Sequence, residues 1–183
     1  MRNNALRSWV IAALPALVWL VFRYAGKNLP PAAEICLTGA ALAAAAYLLL
    51  LEQGKALFRL EWKACLPAAG IGIAMGIASR VCFGKPDGGE TSVSAFLLLC
   101  VLGPAAEEVL YRGLVYGRCL RFLPGAGAIA VSSLLFAAAH GTPARMAAAL
   151  AMGVLLGLAR RKTGTVTVPG ILHMAANLAV FFL

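Results

Sequence analysis

Long apolar runs, each broken by a few charged residues, proline or glycine, fill the chain. A helix needs about 20 apolar residues to cross a hydrocarbon layer of about 30 Å, so runs of this kind are typical of membrane-spanning helices. The runs cover residues 9–25, 33–51, 64–80, 93–117, 125–140, 143–160 and 165–183. Because several are shorter than a full crossing, the pattern predicts an all-α polytopic transmembrane helical bundle of about seven membrane segments, with six and eight as alternatives.

The overall composition agrees with an integral membrane protein. Hydrophobic residues make up 62% of the 183 residues and charged residues 13%, whereas a soluble domain has about 45–50% and about 25%. No internal repeat and no linker interrupts the pattern, so we expect a single membrane domain over residues 1–183. The first run has no clear small-x-small cleavage site, which favours a retained helix over a signal peptide.

The net charge of +9 is assigned to the loops and not to a nucleic-acid-binding surface. No basic stripe interleaved with aromatic residues is present, so nucleic acid is not expected as a partner. With seven segments, ten basic residues fall on one face and five on the other; the richer face holds Arg2, Arg7, Lys55, Arg59, Lys63, Arg118, Arg121, Arg160, Arg161 and Lys162. The positive-inside rule therefore predicts a multi-pass protein of the cell membrane with a cytoplasmic amino terminus.

Small residues are dense in several of the apolar runs, for example at positions 70–76. Glycine and alanine let membrane helices approach each other closely. We therefore expect this segment to form a packing seam.

The stretch 101–113 places Glu107, Glu108 and Arg112 inside an apolar helix. An acidic residue at the centre of a membrane helix costs about 2.5–3.5 kcal/mol, so such a residue is a functional candidate by default. Glu108 and Arg112 are four residues apart, share a helix face and can form an ion pair. Glu107 points about 100° away from Glu108, which makes it the better candidate for a general base. The alternative is that both acids belong to a structural ion network with Arg112.

Two further motifs place the chain's two histidines four residues from a partner. Phe136 and His140 share a face of the fifth run, and His173 and Asn177 share a face of the last run. Taken alone, His140 fits a packing or interface residue. His173 and Asn177 alone fit an interhelical hydrogen-bonding pair, since polar groups in hydrocarbon need partners.

Together the motifs give six polar side chains on three apolar runs. A helical bundle can bring them around one pocket, and convergent acids, bases and hydrogen-bond donors in a concave site are typical of an active site. The six are Glu107, Glu108, Arg112, His140, His173 and Asn177.

The helix rise sets a condition on this convergence. At about 1.5 Å per residue, Glu107 lies about 16 Å from Arg118, whereas His140 lies about 24 Å from Pro124. Straight, perpendicular helices would leave Glu107 and His140 at different depths. A tilted helix or a sunken start of the fifth run is therefore required.

The ordered motifs Glu-Glu-x-x-x-Arg, Phe-x-x-x-His and His-x-x-x-Asn resemble the CAAX protease and bacteriocin-processing family of intramembrane endopeptidases, which includes the type II CAAX prenyl endopeptidase. The resemblance covers about residues 95–183, whereas residues 1–94 are similar only in being hydrophobic. It implies that 95–183 carry a catalytic core. It also implies that the lipid bilayer and a membrane-anchored protein or peptide substrate are the partners.

The resemblance also implies roles for the site residues. Glu107 would be the catalytic glutamate and would activate a water molecule together with His140. His173 and Asn177 would line the oxyanion hole. These four residues are the predicted catalytic set.

Glu108 and Arg112 would orient the catalytic residues, and no cofactor is implied in this glutamic-type interpretation. The alternative is a zinc metalloprotease in which Glu107, His140 and His173 bind the metal, since glutamate and histidine are ordinary zinc ligands. We prefer metal-free hydrolysis, because asparagine is a poor zinc ligand and a good oxyanion donor.

Two other function classes are compatible with the hydrophobic pattern. A non-enzymatic membrane scaffold or immunity protein would have no need of the complete polar set. A small proton-coupled transporter would use acids and histidines as a relay, but it would usually show inverted repeats. The chain is also short for the family, which favours bacterial members that process carboxyl-terminal sorting or CAAX-like tails over prenylated substrates.

Overall fold

The computed structural model describes residues 29–84 and 92–183. Six main helices are present in this part of the chain: α1 (Pro31–Gln53), α2 (Trp62–Phe83), α3 (Val93–Cys119), α4 (Gly125–Ala138), α5 (Pro143–Thr163) and α6 (Thr167–Phe182). Helices α1, α2, α3 and α5 are long and apolar enough to cross a membrane, and α4 and α6 are shorter apolar helices. The predicted polytopic helical bundle is confirmed. The predicted run 9–25 lies outside the described residues.

Proline opens and glycine closes two of the long helices. Pro31 and Pro143 stand in the first turns of α1 and α5, where the missing N–H has no intrahelical partner to lose. Gly54 and Gly164 follow the same helices with φ angles of 79° and 73°, which only glycine adopts without strain. The result is short connections that bring successive helices back across the bundle.

The loops that the charge pattern assigned to one face meet at one end of the bundle. The backbone N–H of Val166 donates to the carbonyl of Leu57 at 2.8 Å, which ties the α5–α6 loop to the α1–α2 loop. Arg118 at the end of α3 forms an ion pair with Glu52 at the end of α1. We refer to this end as the basic end.

Two of the cations counted as loop residues are in fact buried. Arg118 is 4% exposed and Arg160 is 8% exposed. Their interpretation as plain loop cations is therefore wrong, because both guanidinium groups contact the protein interior. Among the described residues, the other cations of the basic end still outnumber the two assigned to the opposite face, Arg80 and Arg145.

The backbones of helices α2 and α6 lie in close contact along the predicted packing seam. A Cβ on Gly72 would lie 2.1 Å from the carbonyl oxygen of Leu172, and one on Gly76 would lie 2.3 Å from that of Ala176. Gly70 is different, since a Cβ there would meet nothing within 4 Å. The seam is therefore confirmed at two of its glycines, and it fixes the position of the helix that carries the second histidine motif.

Replacing Gly72 with alanine is expected to destabilise the protein by about 1–3 kcal/mol, because the added methyl group forces the backbones apart. Gly70→Ala is the matched control on the same helix. It should be neutral or slightly stabilising, because alanine is the better helix former. Reversible unfolding in mixed detergent micelles measures both, and equal stability of the two variants would contradict this packing.

Candidate active site

The helix that carries the acid pair changes its geometry on both sides of it. Within α3, the stretches Leu97–Leu102 and Val109–Val115 are π-helical, and Gly103–Glu108 between them is α-helical. π-helical turns are rare and are frequently found at functional sites. Both acids thus lie at a junction where the helix widens and its side chains are redirected.

Glu108 and Arg112 form the ion pair that their spacing predicts. The Arg112 Nη1 donates to Glu108 Oε1 at 3.1 Å. The side chain of Arg112 is 0% exposed and that of Glu108 is 1% exposed. The Arg112 Nη2 donates to the carbonyl of Gly153 on α5 at 3.0 Å. Its guanidinium also lies 4.6 Å from the centre of the Phe136 ring on α4. One buried arginine therefore joins three helices around the acid pair.

His173 lies between the two acids. Its Nδ1 is 3.1 Å from Glu108 Oε1, and its Nε2 is 3.7 Å from Glu107 Oε2. Because an ionised carboxylate only accepts hydrogen bonds, Nδ1 is the donor to Glu108. The sequence predicted that His173 shares a pocket with the acids, and its direct contact with both carboxylates is a finding of the structure.

His140 lies just beyond the end of α4, which stops at Ala138, two residues before the predicted end of the run. The His140 Nδ1 is 2.8 Å from the carbonyl oxygen of Phe136. A carbonyl only accepts, so Nδ1 carries the proton and, in the neutral ring, Nε2 carries the lone pair. The Phe136 ring contacts both imidazoles, with centroid distances of 4.5 Å to His140 and 5.5 Å to His173.

The end of α4 reaches the depth of the acid pair. The Phe136 ring packs edge-on against Tyr111, with centroids 5.4 Å apart, and lies under the guanidinium of Arg112. Phe136 precedes His140 by about one turn, a rise of about 5.4 Å. The end of α4 therefore lies within about one helical turn of the residues of α3 that follow the acid pair.

A cavity of about 540 Å³ opens beside these residues, and His140, His173 and Asn177 form part of its wall. The rest of the wall is mostly small or apolar and comes largely from α2 and α5, for example Gly76, Ala148, Ala149 and Met152. Arg145 lines the cavity near the start of α5. Glu107 is not part of the wall and contacts it through His173.

Asn177 reaches back to the first π-helical stretch. Its Nδ2 donates to the carbonyl of Leu99 at 2.7 Å. A side-chain amide nitrogen carries two N–H groups, so a second donor belongs to the same atom. The structure thus brings three of the four predicted catalytic residues to one cavity and the fourth into contact with His173.

Within the described ranges, no three His, Cys, Asp or Glu side chains form a group that would hold a metal ion. The hydrogen bonds found at both imidazoles engage their Nδ1 atoms with oxygen acceptors. The arrangement is suited to proton transfer and hydrogen-bond donation next to an apolar cavity.

Fold and site together define a polytopic membrane protein with a buried acid–histidine centre. Residues 89–179, which include all six predicted site residues, match the family described as type II CAAX prenyl endopeptidase Rce1-like. The matched segment, residues 89–179, is therefore similar to this family of endopeptidases.

A curated relative agrees with this similarity. The chain is 34% identical over 83 residues to the membrane-embedded CAAX protease MroQ of Staphylococcus aureus (strain USA300). The matched region covers 42% of this chain and 34% of the relative, so the chain spans about one third of that protein's length. No solved structure matches the chain.

Proposed function

We propose that this protein is an intramembrane endopeptidase that hydrolyses a peptide bond in a membrane-associated protein or peptide. The observation that carries the proposal is the position of His173, which contacts both buried acids and also lines the cavity shared with His140 and Asn177. A structural ion network alone would explain the acids and Arg112. It would not explain why both imidazoles and an amide line the same cavity.

In the proposed reaction, Glu107 and His140 activate a water molecule. The water oxygen attacks the carbonyl carbon of the scissile bond while its proton passes to the Glu107 carboxylate or to the Nε2 of His140. The hydrogen bond from His140 Nδ1 to the carbonyl of Phe136 supports this role, because it leaves the lone pair on Nε2 in the neutral ring. The accepted proton then goes to the leaving amine.

The oxyanion of the tetrahedral intermediate would accept hydrogen bonds from His173 and Asn177. Because Nδ1 of His173 donates to Glu108, its Nε2 donates as well only when the ring is an imidazolium. Each such donor, when it is already in place, lowers the free energy of the transition state by about 3–4 kcal/mol.

Glu108 and Arg112 act as positioning residues in this scheme. Glu108 accepts from both Arg112 and His173 through the same oxygen, Oε1. Arg112 is anchored in turn to the carbonyl of Gly153. The orientation of the His173 ring is therefore coupled to the packing of α3 against α5.

The cavity indicates the kind of substrate segment. Its volume of about 540 Å³ and its small, apolar walls suit a short extended peptide with small or apolar side chains. Membrane-anchored carboxyl-terminal tails, either sorting tails or CAAX-like tails, have this character. We propose the cell membrane, with a cytoplasmic amino terminus, as the location.

Wild-type protein in lipid vesicles should cut a single-span substrate whose tail contains such a segment. In water enriched in ¹⁸O, mass spectrometry should find the label in the new carboxyl group, since hydrolysis adds one oxygen from water. Cleavage should persist in a strong chelator. Loss of cleavage in the chelator, with recovery on adding zinc, would instead assign Glu107, His140 and His173 to a metal.

A proton-coupled carrier is tested in the same vesicles. Proton flux without any fragment across a panel of tails would contradict the peptidase and favour the carrier. Neither fragments nor flux would favour the scaffold.

A further inference from the structure

Two side chains from other helices contact the backbone of α3 beside the acid pair. The Nε of Arg160 on α5 donates to the carbonyl of Arg112 at 3.1 Å, and the Nε2 of Gln53 at the end of α1 donates to the carbonyl of Gly113 at 3.1 Å. Both carbonyls lie in the π-helical stretch Val109–Val115. The two side chains also contact each other, since Arg160 Nη2 donates to Gln53 Oε1 at 3.5 Å. We call Gln53 and Arg160 together the clamp.

The environment of Arg160 shows that it is not an ordinary loop cation. It is 8% exposed, and in the described ranges it forms no ion pair with an acidic side chain. Its guanidinium carbon lies 5.5 Å from the centre of the Tyr116 ring. A buried guanidinium without an acid is costly unless its N–H groups find acceptors. Its hydrogen bonds go to the π-helical backbone and to Gln53.

A glycine leaves room for the amide of Gln53. A Cβ on Gly117 would lie 2.8 Å from the Nε2 of Gln53, so any side chain at 117 would press on the clamp. The clamp thus joins the ends of α1 and α5 to the second π-helical stretch, and all three helices meet there near the basic end.

Arg112 is the point where the clamp meets the acid pair. Its backbone carbonyl accepts from Arg160, and its side chain donates to Glu108, which accepts in turn from His173. A shift of this turn therefore moves the acceptor that orients the His173 ring. Displacements of about 1 Å in a catalytic group can lower a rate by about 10²-fold.

We infer that Gln53 and Arg160 are positioning residues that hold the π-helical turn so that Glu108 orients His173. This inference rests on the proposed function, and it adds two residues that lie outside the three sequence motifs. The clamp touches neither the cavity nor the acids, so it acts on the rate of the chemical step and leaves substrate binding almost unchanged.

The test compares Arg160→Met, Arg160→Lys and Gln53→Met with Lys162→Met, a change of cation to methionine at an exposed position two residues away. Arg160→Met and Gln53→Met should each lower kcat by about 10- to 100-fold with KM within about twofold of wild type. Arg160→Lys should have a higher kcat than Arg160→Met, because an ammonium group can still donate to the carbonyl of Arg112. Lys162→Met should behave as wild type.

A second readout does not depend on activity. The chain has only two histidines, so ¹⁵N-histidine labelling gives the signals of His140 and His173 alone, and a His140→Gln variant assigns them. Arg160→Met and Gln53→Met should shift the ring signals of His173 and leave those of His140 close to wild type. Gln53→Met keeps the buried guanidinium in place, so it tests the clamp if Arg160→Met does not fold.

The outcomes separate this inference from the proposed function. An unchanged His173 spectrum in Gln53→Met and in folded Arg160→Met, or a change in KM alone, would overturn the clamp while wild-type cleavage still stands. A shifted His173 spectrum in a protein that cuts no substrate would support the clamp and contradict the peptidase.

Discussion

Replacing Arg112 with methionine is expected to destabilise the folded protein by about 3–5 kcal/mol, because it leaves buried carboxylates without their cation. Glu108 and Glu107 are 1% and 4% exposed, so water cannot take the place of the guanidinium. Glu108 would lose the guanidinium and keep its hydrogen bond with His173, and the repulsion between the two adjacent acids would add to the loss. The hydrogen bond from Arg112 to the carbonyl of Gly153 disappears at the same time.

Reversible unfolding in mixed micelles measures this loss, and a second variant shows its cause. In Glu108→Gln/Arg112→Met one buried charge leaves together with its partner, so the double variant should be more stable than Arg112→Met. Arg59→Met is the control, because its ion pair with Glu61 has side chains 69% and 31% exposed, and such pairs contribute about 0–1 kcal/mol. Equal stability of Arg112→Met and Arg59→Met would show that the buried pair does not hold the site together.

The local features of the site could be predicted from spacing alone. Glu108 and Arg112 lie on one helix, and a separation of four residues brings side chains together whatever the rest of the bundle does. The apolar runs predicted the six described helices for a similar reason, since length and hydrophobicity are properties of each run. The small residues at 70–76 likewise predicted close packing, although only the structure shows which glycines make the contact.

The position of His173 between two acids could not be predicted in this way. It depends on the rotation and depth of α6 relative to α3. The backbone contacts of Gly72 and Gly76 with α6 help to fix both. The π-helical turns of α3 also leave no trace in an apolar pattern, because a helix that is hydrophobic on all sides has no polar face whose drift would reveal a wider turn.

Arg160 was missed for a different reason. It stands in the series Arg160-Arg161-Lys162, where three consecutive cations indicate a cytoplasmic loop. Burial separates it from its neighbours, since Arg160 is buried and the next two residues are exposed. Only the structure reveals burial, so the sequence contained the residue without a signal for its role.

Replacing Glu107 with glutamine is expected to lower kcat by about 10²- to 10⁴-fold, the range that a general base contributes. Glutamine keeps the size of the side chain but cannot accept a proton from water at neutral pH. It also removes one of two adjacent buried charges, so the variant should fold at least as well as wild type. Cleavage of the vesicle-bound substrate, followed under single-turnover conditions, measures the rate.

Glu34→Gln is the matched control, since Glu34 is an exposed acid in the first turn of α1 and lies outside the site. It should cleave at the wild-type rate, which excludes a general effect of lost charge. If Glu107→Gln cuts as fast as Glu34→Gln, Glu107 is not the base. In that case the role passes to His140, whose Nε2 is the other proposed acceptor of the proton of water, and His140→Gln becomes the variant that should stop the reaction.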